Sequence, residues 1–139
     1  MASYNKFNSF VLDLATKIHN LNSDTLKIML TNSAPSASNT IKSNITEITA
    51  GNGYTAGGNQ AVFVSGNDTA GTYKLILSPV VFTASGGSIG PFEYAVLYNS
   101  TPANGNLIAW WDYGTSLTLT NGNSFTVNLD QSAGTFTLV

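Results

Sequence analysis

The sequence predicts a mainly β fold: a single-domain β-sandwich or barrel with one N-terminal amphipathic α-helix. Three observations carry this. From residue 25 onward, apolar and polar residues alternate in short runs. Clusters of Gly, Asn, Pro and Ser separate those runs at intervals of about 8 to 12 residues. Only one segment, near the N-terminus, repeats its apolar residues at a helical period. With 139 residues and no internal repeat or shift of composition, the chain reads as one β-rich domain, 1–139.

The helical segment spans about residues 4–20. Phe7, Phe10, Val11, Leu14, Ala15 and Ile18 recur at steps of three and four, and Lys6, Asn8, Asp13 and Lys17 fall between them. Ser3 can cap its start, and the Asn-Leu-Asn-Ser run after His19 can end it. Its apolar face would pack on the domain's own sheet or dock on a neighbouring subunit. Leu26, Ile28 and Leu30 then alternate with Lys27, Met29 and Thr31, the pattern of a half-buried strand. The polar stretch of about residues 32–44 is long for a connection inside a compact domain. It reads as a long surface loop or arm, whose Pro35 and Ile41 would order against a neighbouring subunit. Gly51-Asn-Gly-Tyr-Thr-Ala-Gly-Gly58 follows, as a tight irregular loop where backbone passes closely.

Further strands are expected at Ala61–Ser65, Thr72–Leu77, Val80–Thr83, Phe92–Tyr98 and Leu107–Asp112. Turns are expected at Gly66-Asn-Asp68, Gly86–Pro91 and Thr101–Gly105. In about residues 115–139, Leu117 and Leu119, then Phe125, Val127 and Leu129, then Phe136 and Leu138 alternate with polar residues. The Asn121-Gly122 pair suits a two-residue turn. The expectation is a three-stranded meander with one apolar face.

Charge narrows the function classes. Only 9% of residues are charged, against roughly 25% in ordinary domains, and all five basic residues are lysines. Without arginine no bidentate fork exists for phosphate or for a guanine edge, and the net charge is −2. Nucleic acid and basic membrane-surface binding are therefore not expected partners. No apolar run approaches a membrane span, and the first residues lack a signal-peptide pattern, which points to synthesis in a cytoplasm. A surface of Asn, Ser, Thr and Gly suits a protein packed against other subunits, and also a carbohydrate-binding module.

No catalytic, cofactor-binding or metal site is expected. His19 is the only histidine and reads as a solvated or helix-capping residue. Cysteine is absent, and no Gly-x-Ser-x-Gly elbow occurs. The Gly51–Gly58 cluster lacks the Lys-Ser/Thr ending of a phosphate-binding loop. Seven scattered acids always permit some glycosidase-like pair, and Glu93 with Asp112 is the pair to inspect. Trp110, Trp111 and Tyr113 form the most marked aromatic cluster. Adjacent tryptophans on a strand point to opposite faces, so one should enter the core. The other should face outward, as a stacking platform or interface anchor, or lie under the domain's own loops. Asn-x-Ser/Thr sequons at Asn44, Asn67 and Asn99 are expected from composition alone.

Met1-Ala-Ser-Tyr-Asn-Lys-Phe7, Thr25-Leu-Lys-Ile-Met-Leu-Thr-Asn32, Ile45-Thr-Glu-Ile-Thr-Ala-Gly-Asn-Gly-Tyr-Thr-Ala-Gly-Gly58 and Trp111-Asp-Tyr-Gly-Thr-Ser116 give the chain a family likeness. It resembles small virion proteins of tailed bacteriophages, of the capsid decoration or cement type. The resemblance implies a non-enzymatic protein on the capsid surface, assembled in the host cytoplasm. It would stabilise the lattice of the major capsid protein as a homo-oligomer, with a trimer favoured and no cofactor. Pro35, Ile41, Trp110, Trp111 and Tyr113 are the candidate interface residues. A tail, baseplate or fibre component and a carbohydrate-binding module used in host adsorption are the alternatives.

Overall fold

A computed structural model describes residues 4–139, which are mainly β with one short α-helix. In chain order the elements are β1 (Tyr4–Lys6), α1 (Ser9–Ala15), β2 (Leu26–Thr31), β3 (Asn59–Gln60), β4 (Phe63–Thr69), β5 (Thr72–Leu77), β6 (Val80–Thr83), β7 (Ile89–Asn99), β8 (Leu107–Leu119), β9 (Ser124–Val127) and β10 (Phe136–Leu138). They form three open antiparallel sheets. The central one has the order β1-β8-β7-β2-β3, the second β10-β5-β4, and the third pairs β6 with β9.

The central sheet is buried on both faces. On one face Ile28, Leu30, Leu97 and Ala109 join Leu75, Leu77, Phe82, Val127 and Phe136 of the other two sheets in the main core. On the other, Phe7, Met29, Ile45, Val96, Tyr98 and Leu107 form a second cluster. This corrects the half-buried reading of β2. Met29 and Thr31 are fully buried, because the chain between residues 32 and 50 covers the face that alternation assigns to water. Ile48 N–H donates to Leu30 C=O (3.1 Å), and Thr31 bridges to Glu47.

The N-terminal helix is shorter than its period predicts. Tyr4–Lys6 pairs with Ala109–Trp111 as an edge strand, and the helix occupies only Ser9–Ala15. Phe7 and Phe10, neighbours on a helix face, instead enter different clusters. Asn, Ser and Val are weak helix formers, and a short helix gains little alone, so a partner strand wins these residues. Lys17, at φ +70°, ends the helical turn. Asn8, not Ser3, precedes the helix, and Ser3 lies outside the described residues.

The polar stretch 32–44 is not a free arm. Asn8 N–H donates to Ala37 C=O (2.9 Å), Leu107 N–H to Thr40 C=O (3.0 Å) and Lys42 N–H to Gly105 C=O (2.9 Å). Ile41 bridges to Asn106, and Pro35 and Ile41 are half-buried against their own chain. Backbone donors and acceptors that a free arm would leave to water are satisfied within the molecule.

The C-terminal meander does not form. β8 pairs with β7, β9 with β6 and β10 with β5, so the three segments enter three sheets. The apolar face is nonetheless as expected: Leu117, Leu119, Phe125, Val127, Leu129, Phe136 and Leu138 all belong to or pack against the main core. The Asn121-Gly122 turn is present, Asn123 N–H donating to Thr120 C=O (3.0 Å), but it carries the chain from one sheet to another. The segment Gly66-Asn-Asp68 lies inside β4, and the hairpin turn falls at Ala70-Gly71, both at positive φ. Among the described residues no helix is long and apolar enough to cross a membrane.

Candidate functional site

The most developed site begins with an irregularity in β8. Tyr94 pairs with Asp112 but Phe92 pairs with Leu117, so Tyr113–Ser116 stand opposite Glu93 alone. Extra residues in one strand must leave the ladder, and bulges of this kind re-aim side chains. These four form an exposed tongue. Gly114 turns at φ +95°, with its N–H donating to Asp112 Oδ1 (2.7 Å). Ser116 Oγ reaches Asn32 Oδ1 (3.0 Å). The tongue swings the Tyr113 ring edge-on to Phe125, at 5.5 Å.

Beside it lies a groove of about 530 Å³. Its floor is one cross-strand row, Tyr4–Trp111–Ala95–Leu30, in which each residue is the register partner of the next. One wall is the continuous stretch 125–130, the other holds Phe92, Glu93 and Tyr94, and Gly134 and Thr135 complete it. Tyr4 and Trp111 lie 6.0 Å apart, and Phe92 and Phe125 meet edge-on at 5.0 Å.

Two carboxyls sit at its mouth. Partial burial, together with the charge and hydrogen bond of neighbouring Asp112, holds the Glu93 carboxyl above the usual carboxylate range. Asp130 is held low, because its Oδ1 accepts from the amides of Ala133 (2.9 Å) and Ser132 (2.7 Å). Asp112, the register partner of Tyr94, stands beside Glu93. The arrangement suits binding: aromatic surface beneath, acidic groups at the rim.

The candidates from sequence are split between faces. Trp111 and Tyr113 belong to the groove. Trp110 points to the opposite face, against Phe7 at 4.6 Å. The tryptophans thus diverge as adjacent strand residues should, and both are half-buried. Ile41 borders a smaller cavity of about 390 Å³ with Lys42, Ile45 and Glu47, and Pro35 lines neither. Tyr4, Phe92, Tyr94 and Phe125 were not singled out as site residues. Tyr4 lay in the helical pattern and Phe125 in the core pattern. Only the glycine inside Trp111–Ser116 signalled a break in β8.

Two buried polar networks hold surrounding loops. Glu47 Oε2 accepts from Tyr54 Oη and from Gly57 N–H, both at 2.6 Å, and Tyr54 Oη accepts from Leu30 N–H (3.0 Å). Burial and the bond to Glu47 push the Tyr54 hydroxyl far above its ordinary range. Tyr98 donates to Gly57 C=O (2.6 Å), and burial, then Glu47, raises it to about 12. The glycine loop is therefore clamped by one carboxylate. Gly58 shows why glycine is needed: at φ +77° a Cβ would collide with the Ile28 carbonyl.

His19 corrects the expectation of a solvated residue. It is buried, with Nδ1 3.0 Å from Asn99 Nδ2 and Nε2 3.9 Å from Asp13 Oδ2. Asn99 also donates to Asp24 Oδ2 (2.6 Å). Burial lowers the imidazole pKa, against the opposing pull of Asp13 and Asp24. The network fastens the segment after α1 to the end of β7, and it leaves the Asn99 side chain fully buried.

Comparison with protein-family models, with curated proteins and with solved structures finds no match to the chain.

Proposed function

We propose that this chain is a structural protein of a tailed-bacteriophage virion, a capsid decoration protein that binds and stabilises the lattice of the major capsid protein. The observation that carries the reading is the surface. Val64 (53% exposed) stands open on the edge strand β4 with Val62 (51%) just before it, and Val11 and Leu12 (65%) stand open on α1. Few charges dilute them. An apolar edge strand is a pairing hazard for a protein that stays free. It becomes contact surface for one that is covered in an assembly.

The resemblance of residues 25–32, 45–58 and 111–116 to phage virion proteins supplies the partner. In this reading the sheets stack as a sandwich, a stiff body for a cement protein, and copies associate as trimers. The test is to mix purified chain with capsids that lack it and to sediment the particles. Binding should saturate at hundreds of copies per capsid and raise the capsid melting temperature. Absence of co-sedimentation contradicts the reading.

The aromatic groove favours one second reading, a carbohydrate-binding module used in host adsorption. Tyr113 is 52% exposed, and an exposed ring beside carboxylates can stack on a sugar and accept its hydroxyls. Glycan-array binding that is lost in Tyr113→Ala would favour it.

A further inference from the structure

We propose that the groove between β9 and the central sheet receives an extended peptide segment of a protein partner, added as a strand beside β9. The segment carries apolar residues at alternate positions and a Lys or Arg that meets the acidic mouth. The proposal rests on the docking reading only in requiring a protein partner, whatever particle that partner builds.

The wall is a backbone edge and not a side-chain face. Side chains on a strand alternate, so a wall facing one side of a strand shows every second residue. Here all of residues 125–130 border the groove. The phase of the β6–β9 pairing gives the same answer. Ala84 N–H donates to Asn123 C=O (2.9 Å), and Phe82–Phe125 and Val80–Val127 follow in register at steps of two. Alternation in an antiparallel pair therefore turns the N–H and C=O of Thr126 and Asn128 away from β6. No described residue pairs with the backbone of either. Six residues of edge present about 20 Å of main chain, the length of a short strand.

The rest of the groove fits the side chains of such a strand. Ala95, small between Trp111 and Leu30 in the floor row, leaves depth for an aliphatic side chain. Strand addition draws its affinity from main-chain hydrogen bonds and its specificity from pockets that accept alternate side chains. Charge selects the partner further. Glu93 and Asp130 line the groove, Asp112 adjoins Glu93, and no lysine lines it. Glu93 and Asp112 make no ion pair among the described residues, so a cation from outside relieves their repulsion. A sugar would use the aromatic faces but leave the line of main-chain groups unmet.

The test is selection from a displayed library of random ten-residue segments against the purified full chain. Enriched sequences should alternate apolar residues and carry Lys or Arg. N-methylation of alternate amides in the best peptide should abolish binding, a readout that needs no protein variant. Thr126→Pro, which removes the outward N–H at an edge position where a strand can accept proline, should weaken binding at least tenfold with the melting transition retained, and Glu93→Gln should weaken it several-fold while the fold persists. Failure to enrich any segment overturns the proposal, as does a peptide that tolerates N-methylation or glycan binding that competes at the groove. If selection fails while the chain saturates capsids, the groove assignment falls and the docking reading stands.

Discussion

At the scale of single residues, burial decides which changes matter. Phe82 is fully buried among the three sheets, so Phe82→Ala should cost about 3 to 5 kcal/mol in chemical denaturation. Exposed Thr126→Ala should stay within about 0.5 kcal/mol. Similar small effects at both would mean that the faces are misassigned. Glu47→Ala strands the Tyr54 hydroxyl and the Gly57 amide, and should cost about 2 to 3 kcal/mol. Faster amide exchange at Gly57 and Leu30 should accompany it.

Two titrating groups act with opposite sign. His19 is held below its ordinary pKa, so the folded state binds fewer protons than the unfolded one. Its contribution is present above about pH 6.5 and is lost as pH falls. Glu93 is held above its ordinary value, so its contribution is greatest at low pH and is lost as pH rises through the raised pKa. Melting temperatures between pH 4 and 8 should show His19→Gln flattening the acid limb and Glu93→Gln raising stability at neutral pH. A Glu93→Gln variant no more stable than the parent at pH 7 would contradict the repulsion with Asp112.

At the scale of elements, the sequence disclosed faces better than partners. Alternation marked β5 and β6 with their observed bounds and placed the C-terminal apolar residues in the core. It could not choose between pairing β9 with β8 or with β6, because either leaves Phe125 and Val127 on the same side. The helical period over Phe7, Phe10 and Leu14 holds only for the roughly two turns of Ser9–Ala15, which leave Phe7 outside. What it could not reveal was the open edge of β8 that recruits Tyr4–Lys6. The groove was legible in part. Trp111 and Tyr113 stood out by type, whereas the tongue that carries Tyr113 depends on a register shift opposite Glu93, and register is a property of two strands. The stretch 32–44 misled by composition: polar residues satisfy backbone partners on β8 and its preceding turn as readily as they face water. Limited proteolysis of the isolated chain should leave this stretch intact under conditions that cleave an unfolded control. Early cleavage there would show that its hydrogen bonds to Asn8, Gly105 and Leu107 do not hold it.

At the scale of the whole molecule, three open sheets share one core while apolar side chains remain on β4 and α1 and an aromatic groove opens beside β9. In the proposed reading those apolar side chains are covered by neighbouring subunits. The central claim is that many copies cover a capsid. The proposed phage origin makes this measurable: quantitative mass spectrometry of purified virions of a phage carrying the gene gives copies of the chain relative to the major capsid protein. Hundreds of copies per particle are predicted, in fixed proportion to the capsid lattice. A handful of copies, or none, would contradict it.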